Sequence, residues 1–501
     1  MTDLKRISLA LALAASASFA HAADLRIGLQ EDPDVLDPDQ SRTFVGRIVY
    51  ESLCDKLVDI TPDLEIIPQL ATGWSWSDDG KTLTMQLREG VTFHDGTPFD
   101  AEAVKANIAR SQTMDESRRK SEVKSITGVE VTGPHEVKIS LANPDATLLA
   151  QFSDRAGMMV SPTAAAAAGA DFGLNPVCSG PYKFVERVQQ DRIVLEKFAG
   201  HWNAGEYAFD RVIFLPIPDT TVRLANLRAG DLDMLERLAA TDLASAKADA
   251  SLKVEQIVGL GYQGITINVA NGDRSKNPLG QDARIRQALS LSIDRAALNQ
   301  VVFEGAFAPG NQPFPPSSPW YDTRFPVPDR DVAKAKALLA EAGHDRLAIE
   351  VQVANNPVQM QVMQVIQSMA AEAGFDITLA AKEFATLLNE QTAGNYQASQ
   401  IGWSGRTDPD GNIHQFQTCQ GGINDSKYCN PEVDRLLNEA RTSNDPAVRK
   451  ESYDGARAIL ANDMPIIYLY HQSWIWALSN KIDGFVPYPD GMIRLAGVSM
   501  K

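Results

Sequence analysis

A chain of 501 residues is longer than one hydrophobic core supports, so roughly two to four units are expected. Its 47 Lys and Arg stand against 64 Asp and Glu, a formal net charge of −17, which excludes nucleic acid and anionic membrane surfaces as partners. The 44% hydrophobic and 22% charged residues are those of an ordinary globular protein.

Lys5 and Arg6 precede an apolar run from Ile7 to Phe19, and Ala20-His21-Ala22 supplies a small-x-small cleavage site. This pattern predicts a signal peptide over residues 1–22, cut after Ala22, because the run is too short to span a bilayer. With no cysteine at the cleavage site and no later apolar run of spanning length, the expected compartment is the periplasm of a Gram-negative bacterium. That compartment oxidises thiols. The four cysteines allow three pairings. Cys419 and Cys429 flank one short polar loop and are expected to pair, which leaves Cys54 with Cys178.

In chain order, Leu25 to Leu29 is a strand that runs into a polar loop, Gln30 to Gln40, broken by two Asp-Pro steps. Leu83, Met85 and Leu87 alternate with Thr82, Thr84 and Gln86 after an Asp79-Gly80 turn, a half-buried strand. Asp100 caps a helix whose Val104 and Ile108 share one face. Val129 to Leu141 reads as a hairpin, and Asn175 to Phe198 as two strands around Gln189-Gln190. From Asp282 the pattern changes: Ile285, Leu289, Ile293 and Ala297 recur at four-residue steps behind an Asp282 cap. A helix at 331–342, a strand at 347–353, a helix at 358–373 and a strand at 375–380 follow, and Asn430-Pro431 opens another helix. Alternating helices and strands over 282–480 predict an α/β lobe. The strand-richer first half reads as a second lobe interrupted by 51–175.

After a strand at 396–401, the stretch Ile401 to Asn412 concentrates Trp403, Ser404, Gly405, Arg406, Asp408 and Asp410. Loops at the carboxyl ends of strands in open α/β sheets bind ligands, and Trp and Arg often dominate binding energy. The competing reading is a surface turn, since Asp-Pro and Asp-Gly are ordinary turn dipeptides.

Five segments, in order, carry a family resemblance: LATGWSWSDDGKTLTMQLREGVTFHDGTPFDAEAVKANI from Leu70, CSGPYKF from Cys178, LRAGDLDML from Leu227, DARIRQALSLSIDRAAL from Asp282, and the Trp403 to Asp410 loop. Together they resemble the family 5 extracellular solute-binding proteins of ABC importers, the group with oligopeptide-, dipeptide- and nickel-binding members. The resemblance implies an α/β, two-lobed periplasmic binding protein fold with a hinge and a small extra α+β domain inserted in lobe one. Lobe one then covers 23–50, 176–277 and 480–501, the inserted domain 51–175, and lobe two 278–479. It implies a monomer without catalysis or cofactor that closes on a solute and delivers it to ABC permease and ATPase subunits in the inner membrane. It also places a disulfide at Cys419–Cys429, and gives Trp74, Trp76, Gly96 and Arg286 structural roles.

One departure bears on the ligand. Dipeptide-binding members carry an aspartate after Trp-x-Gly that receives the peptide's ammonium; here Arg406 stands there. A buried cation repels an ammonium, whereas a guanidinium matches a carboxylate or phosphate with two parallel hydrogen bonds. The expected ligand is therefore peptide-like or amino-acid-derived with an acidic group near Arg406: an opine-like conjugate, a short acidic peptide or a glutathione-like compound. The competing reading pairs Arg406 internally with Asp408. Asp408 or Asp410 is a candidate for a ligand cation, and Gln30, Glu31, Tyr262, Gln263 and Asn355 (with Asn356 beside it) are further candidate contacts.

Two alternatives stand beside this reading: ordinary di- or oligopeptides as ligand, and a secreted hydrolase. The chain lacks a Gly-x-Ser-x-Gly elbow, a His-Glu-x-x-His helix and a phosphate loop, and its histidines are scattered without metal-ligand spacing.

Overall fold

The computed structural model describes residues 24–443 and 445–501; the expected signal peptide and its cleavage site lie outside them. Two large sheets carry the architecture. The first has seven strands, ordered Leu252–Val258, Ser473–Ser479, Met234–Leu235, Asp24–Leu29, Arg211–Pro216, Arg192–Lys197 and Tyr182–Val188. Asp24–Leu29 lies near its centre, parallel to both neighbours, with Leu25, Ile27 and Leu29 fully buried. Strands covered on both faces read as apolar runs, which is why this one was legible.

The second sheet has six strands, ordered Ala308–Pro309, Ile466–His471, Tyr262–Ile267, Ala398–Trp403, Leu347–Ala354 and Phe375–Lys382. Leu347–Ala354 and Phe375–Lys382 run parallel and are joined by the helix Pro357–Glu372, which packs Val362, Met363, Ile366 and Ala370 into the core. Asn356 caps that helix by accepting from the Gln359 amide at 2.9 Å, with Pro357 at its first position.

A four-stranded antiparallel sheet, Ala71–Trp76, Thr82–Leu87, Glu136–Leu141 and Ile126–Gly133, forms a separate unit with its own core. Helix Ala101–Thr113 packs there through Val104 and Ile108, and Asp100 caps it at 3.0 Å from the Ala103 amide. The two disulfides join Cys54 to Cys178 and Cys419 to Cys429.

Strand membership differs from the sequence division at 277/278 and 479/480. Tyr262–Ile267 belongs to the six-stranded sheet and Ser473–Ser479 to the seven-stranded one. The chain thus changes sheets at 259–261 and again at Gln472, and the crossings are tied by the Gly259 amide donating to the Gln472 carbonyl at 3.0 Å. Helix–strand alternation reports element type but not which sheet a strand joins. The segment from Asp282 also differs: it forms two helices, Ala283–Leu291 and Arg295–Phe303, because the Asp294 side chain accepts from the Ala297 amide and caps the second.

Candidate functional site

The carboxyl ends of Asp24–Leu29, Leu347–Ala354 and Ala398–Trp403 converge on one cleft, as open α/β sheets dictate. It encloses about 1450 Å³ of empty space, part of it open to solvent. Gln30, Glu31 and Phe44 supply wall from the seven-stranded side, and Tyr262, Gln263, Trp403 and Ser404 from the six-stranded side. Gly261 sits behind this wall, where a Cβ would collide with the Trp403 carbonyl, so the close approach of the crossover to the loop requires glycine.

Aromatic pairs stiffen both sides. Phe44 stacks on Trp474 with centroids 4.4 Å apart, and the Arg237 guanidinium lies 4.5 Å over Phe44. Opposite, Tyr262 meets Tyr468 edge-on at 4.7 Å, and Trp403 meets Phe416 at 5.0 Å. The Trp403 indole N–H is committed to Asn412 at 3.0 Å, which leaves its ring to shape the cavity.

Charge is the cleft's most distinctive property. Six arginines line it (Arg42, Arg47, Arg118, Arg119, Arg155, Arg237) against two carboxylates, Glu31 and Asp425, in a chain of net charge −17. Five of the six are ion-paired: Arg42 with Asp425, Arg47 and Arg155 with Asp154, Arg119 with Glu122 and Arg237 with Glu236. Arg118 is exposed at the wall, and its guanidinium has no ion-pair or hydrogen-bond partner among the described residues. Arg155 donates to the Ser41 carbonyl at 2.7 Å, and burial next to Arg119 pushes it down to about 10. Arg42 reaches across the cleft to Thr392 at 2.8 Å and Asp425 at 3.4 Å. Arg237 donates to Gln30 at 3.0 Å. Glu31 has its carboxyl pushed up to about 7 by burial, which Arg237 opposes and Glu236 reinforces.

Of the sequence-derived candidates, Gln30, Glu31, Tyr262, Gln263, Trp403 and Ser404 come together on this wall. Asn355 is exposed and outside it, whereas its neighbour Asn356 lines it. Arg406, Asp408 and Asp410 are placed elsewhere. Arg406 is 6% exposed, and its Nε lies 2.8 Å from Asp154 while its guanidinium stacks over Trp403 at 4.1 Å. Its charge is taken up internally, but not by Asp408 as the competing reading had it. Asp408 is held by Arg449 through bonds of 2.6 and 2.9 Å, and Asp410 by Arg441 through bonds of 2.6 and 3.1 Å. Such bidentate pairs leave neither carboxylate available to a ligand cation.

The arginine wall escaped sequence reading because its members come from separate stretches that only folding brings together. The sole local signal was the Arg118-Arg119 pair. No group of three or more His, Cys, Asp or Glu able to hold a metal occurs among the described residues, and no helix there is long and apolar enough to cross a membrane.

Two sheet-centred lobes with a polar cavity between them define a cleft-type solute-binding protein. The model for bacterial extracellular solute-binding proteins, family 5, matches residues 65–424. The chain is 30% identical over 500 residues to the glutathione-binding protein GsiB of Salmonella paratyphi A, covering 97% of this chain and 96% of that one. With GsiB of Escherichia coli O157:H7 it is 29% identical over 502 residues, with 98% and 96% covered. The dipeptide-binding protein from Pseudoalteromonas sp. SM9913 in complex with Met-Leu superimposes with a TM-score of 0.88 at 25% identity, over 95% of this chain and 100% of that one. The chain therefore belongs to the family 5 extracellular solute-binding proteins, and its role is that of the solute-binding component of an ABC importer.

Proposed function

We propose that this protein captures a small amino-acid conjugate carrying more carboxylates than ammonium groups, with glutathione as the model compound. The single observation that carries this reading is the arginine-rich cleft wall, on which the Arg118 guanidinium stands without a carboxylate partner among the described residues. Each carboxylate–guanidinium contact formed in a closed, poorly hydrated cleft is worth about 1.5–3 kcal/mol, so two anionic groups contribute about 3–6 kcal/mol to capture. Arg118 is the first candidate for such a contact because its guanidinium is unpaired among the described residues, and Arg42 the second. Glu31 and Asp425 are the groups that accept the ligand's ammonium.

The relatives named for glutathione support the class, since glutathione has two carboxylates and one ammonium. Closure of the two lobes around the solute would bury its charges, and the closed form would engage a permease with its ATPase subunits. In this reading the protein acts as a monomer in the periplasm after removal of its signal peptide.

A thermal-shift screen of ligand-stripped protein tests the proposal. Ligand at ~100 times its dissociation constant adds about 2.7 kcal/mol, enough to raise the melting point by several degrees. Glutathione and acidic opine-type conjugates are expected to give that rise and Met-Leu is not. A rise confined to neutral peptides overturns the reading.

A further inference from the structure

Past Arg237 the cleft continues into a second chamber of about 1040 Å³, part of it open to solvent. The two spaces share Gln30, Arg237, Gln263, Asn356, Gln359 and Gln472, which form a neck of amides around one guanidinium. The chemistry changes across that neck. Among the described residues, Arg237 is the only charged one on the second chamber's wall. Leu238, Val302, Phe303, Phe307 and Tyr470 supply much of the rest. Phe303 lies 4.4 Å from Phe307 and 4.7 Å from Tyr470, centroid to centroid, so these rings make one rigid aromatic surface.

We infer that this chamber receives an uncharged, largely apolar substituent, an alkyl or aryl arm, carried by the anionic ligand. The inference rests on the reading of an anionic amino-acid conjugate given above. A charged arm entering the chamber would lose water without gaining a partner. Arg237 does not provide one: its guanidinium is occupied by Gln30 at 3.0 Å, by Glu236 at 3.4 Å and by the face of Phe44. An alkyl or aryl arm exchanges water contact for aromatic and aliphatic wall. The amides of Gln263, Gln359 and Gln472 meet the polar junction between head and arm. The protein then takes conjugates in which the amino-acid part is constant and the substituent varies, and the arm adds affinity in proportion to the apolar area it buries.

Calorimetric titration with glutathione, S-methylglutathione and S-hexylglutathione tests this. Each buried methylene is worth about 0.8 kcal/mol, or roughly fourfold in affinity, so S-hexylglutathione is expected to bind at least ~10-fold more tightly than the S-methyl compound. Ala239→Phe fills the chamber from one side and Val358→Trp from the other. In either variant the ratio of S-hexyl to S-methyl affinity is expected to fall to about one, and the second covers the case in which the first does not fold. An S-hexyl compound that binds no better than the S-methyl one, or a gain that survives both substitutions, overturns the inference. Glutathione binding without the S-hexyl gain leaves the anionic-conjugate reading intact, whereas failure of all three compounds to bind sinks both.

Discussion

Arg406 Nε and Asp154 Oδ2 lie 2.8 Å apart, joining the end of the six-stranded sheet to a residue beyond the four-stranded unit. The same carboxylate accepts from Arg47, on the helix Phe44–Leu53, at 3.0 Å through Nε and faces its Nη2 at 2.9 Å. Three parts of the molecule therefore meet on one buried carboxylate. Burial alone would push Asp154 up, but Arg406, Arg47 and Arg155 hold it well below the usual carboxylate range.

Removing that charge leaves three buried guanidiniums facing one another. Breaking one partner out of a buried ionic cluster costs about 3–5 kcal/mol. Asp154→Asn is expected to lower stability by that amount in denaturant unfolding and to enlarge the radius of gyration in small-angle scattering as the lobes separate. Arg406→Ala, which leaves Asp154 with Arg47 and Arg155, is expected to cost less. Equal stabilities of wild type and Asp154→Asn would contradict the bridging role.

Acid adds a second test of the same carboxylate. A group whose folded-state pKa is depressed contributes stability that is present above its unfolded value of ~3.9 and is lost as pH falls through the folded one. The Asp154 contribution should therefore fade below about pH 4, and the difference in melting temperature between wild type and Asp154→Asn should narrow there. A difference that stays constant down to about pH 2 would contradict it.

Glu31 has the opposite sign. Its folded value is raised from 4.5 to about 7, so the folded state holds a proton that the unfolded chain has released. Its contribution to stability is present below pH ~4.5 and declines as pH rises toward 7, because ionising a buried carboxyl is penalised. Glu31→Gln is expected to be less stable than or equal to wild type at pH 4 and relatively more stable at pH 8. Melting curves of the ligand-free proteins at the two values check this, and parallel behaviour would refute it.

Arg118 provides a functional test with little structural cost, since its side chain is exposed and unpaired among the described residues. Arg118→Ala is expected to weaken glutathione binding by roughly 10- to 100-fold, the loss of one charge-assisted contact, with a melting temperature within about two degrees of wild type. Calorimetry reads the first and thermal unfolding the second. Unchanged affinity would remove Arg118 from the site.

Local chemistry was legible where the cause is local. Asp100, Asp282 and Asn430 cap helices because a short polar side chain reaches an amide two or three residues on. The Cys419–Cys429 bridge closes a loop of sequence separation 10, and leaving Cys54 to Cys178 was then forced. Arg406 was misread because its partner, Asp154, lies on a distant segment, and nothing in the Trp403 to Asn412 stretch announces that a carboxylate from elsewhere will occupy the guanidinium. Arg441 and Arg449 captured Asp410 and Asp408 in the same unannounced way. The cleft's six arginines share no periodicity, so only the assembled lobes reveal them. Strand membership at Tyr262–Ile267 and Ser473–Ser479 was hidden for a related reason: an apolar strand fits either sheet, and the decision is made by register with partners far away.

The most direct measurement of the central claim compares glutathione with its diethyl ester by calorimetry on ligand-stripped protein. The two share one scaffold and differ in the charge of both carboxylates. If the arginine-lined cleft selects anionic amino-acid conjugates, the free acid binds and the diester is weaker by at least ~100-fold, the loss of two charge-assisted contacts. Equal affinity for the two would show that the arginines do not read the ligand's charge, and would contradict the account.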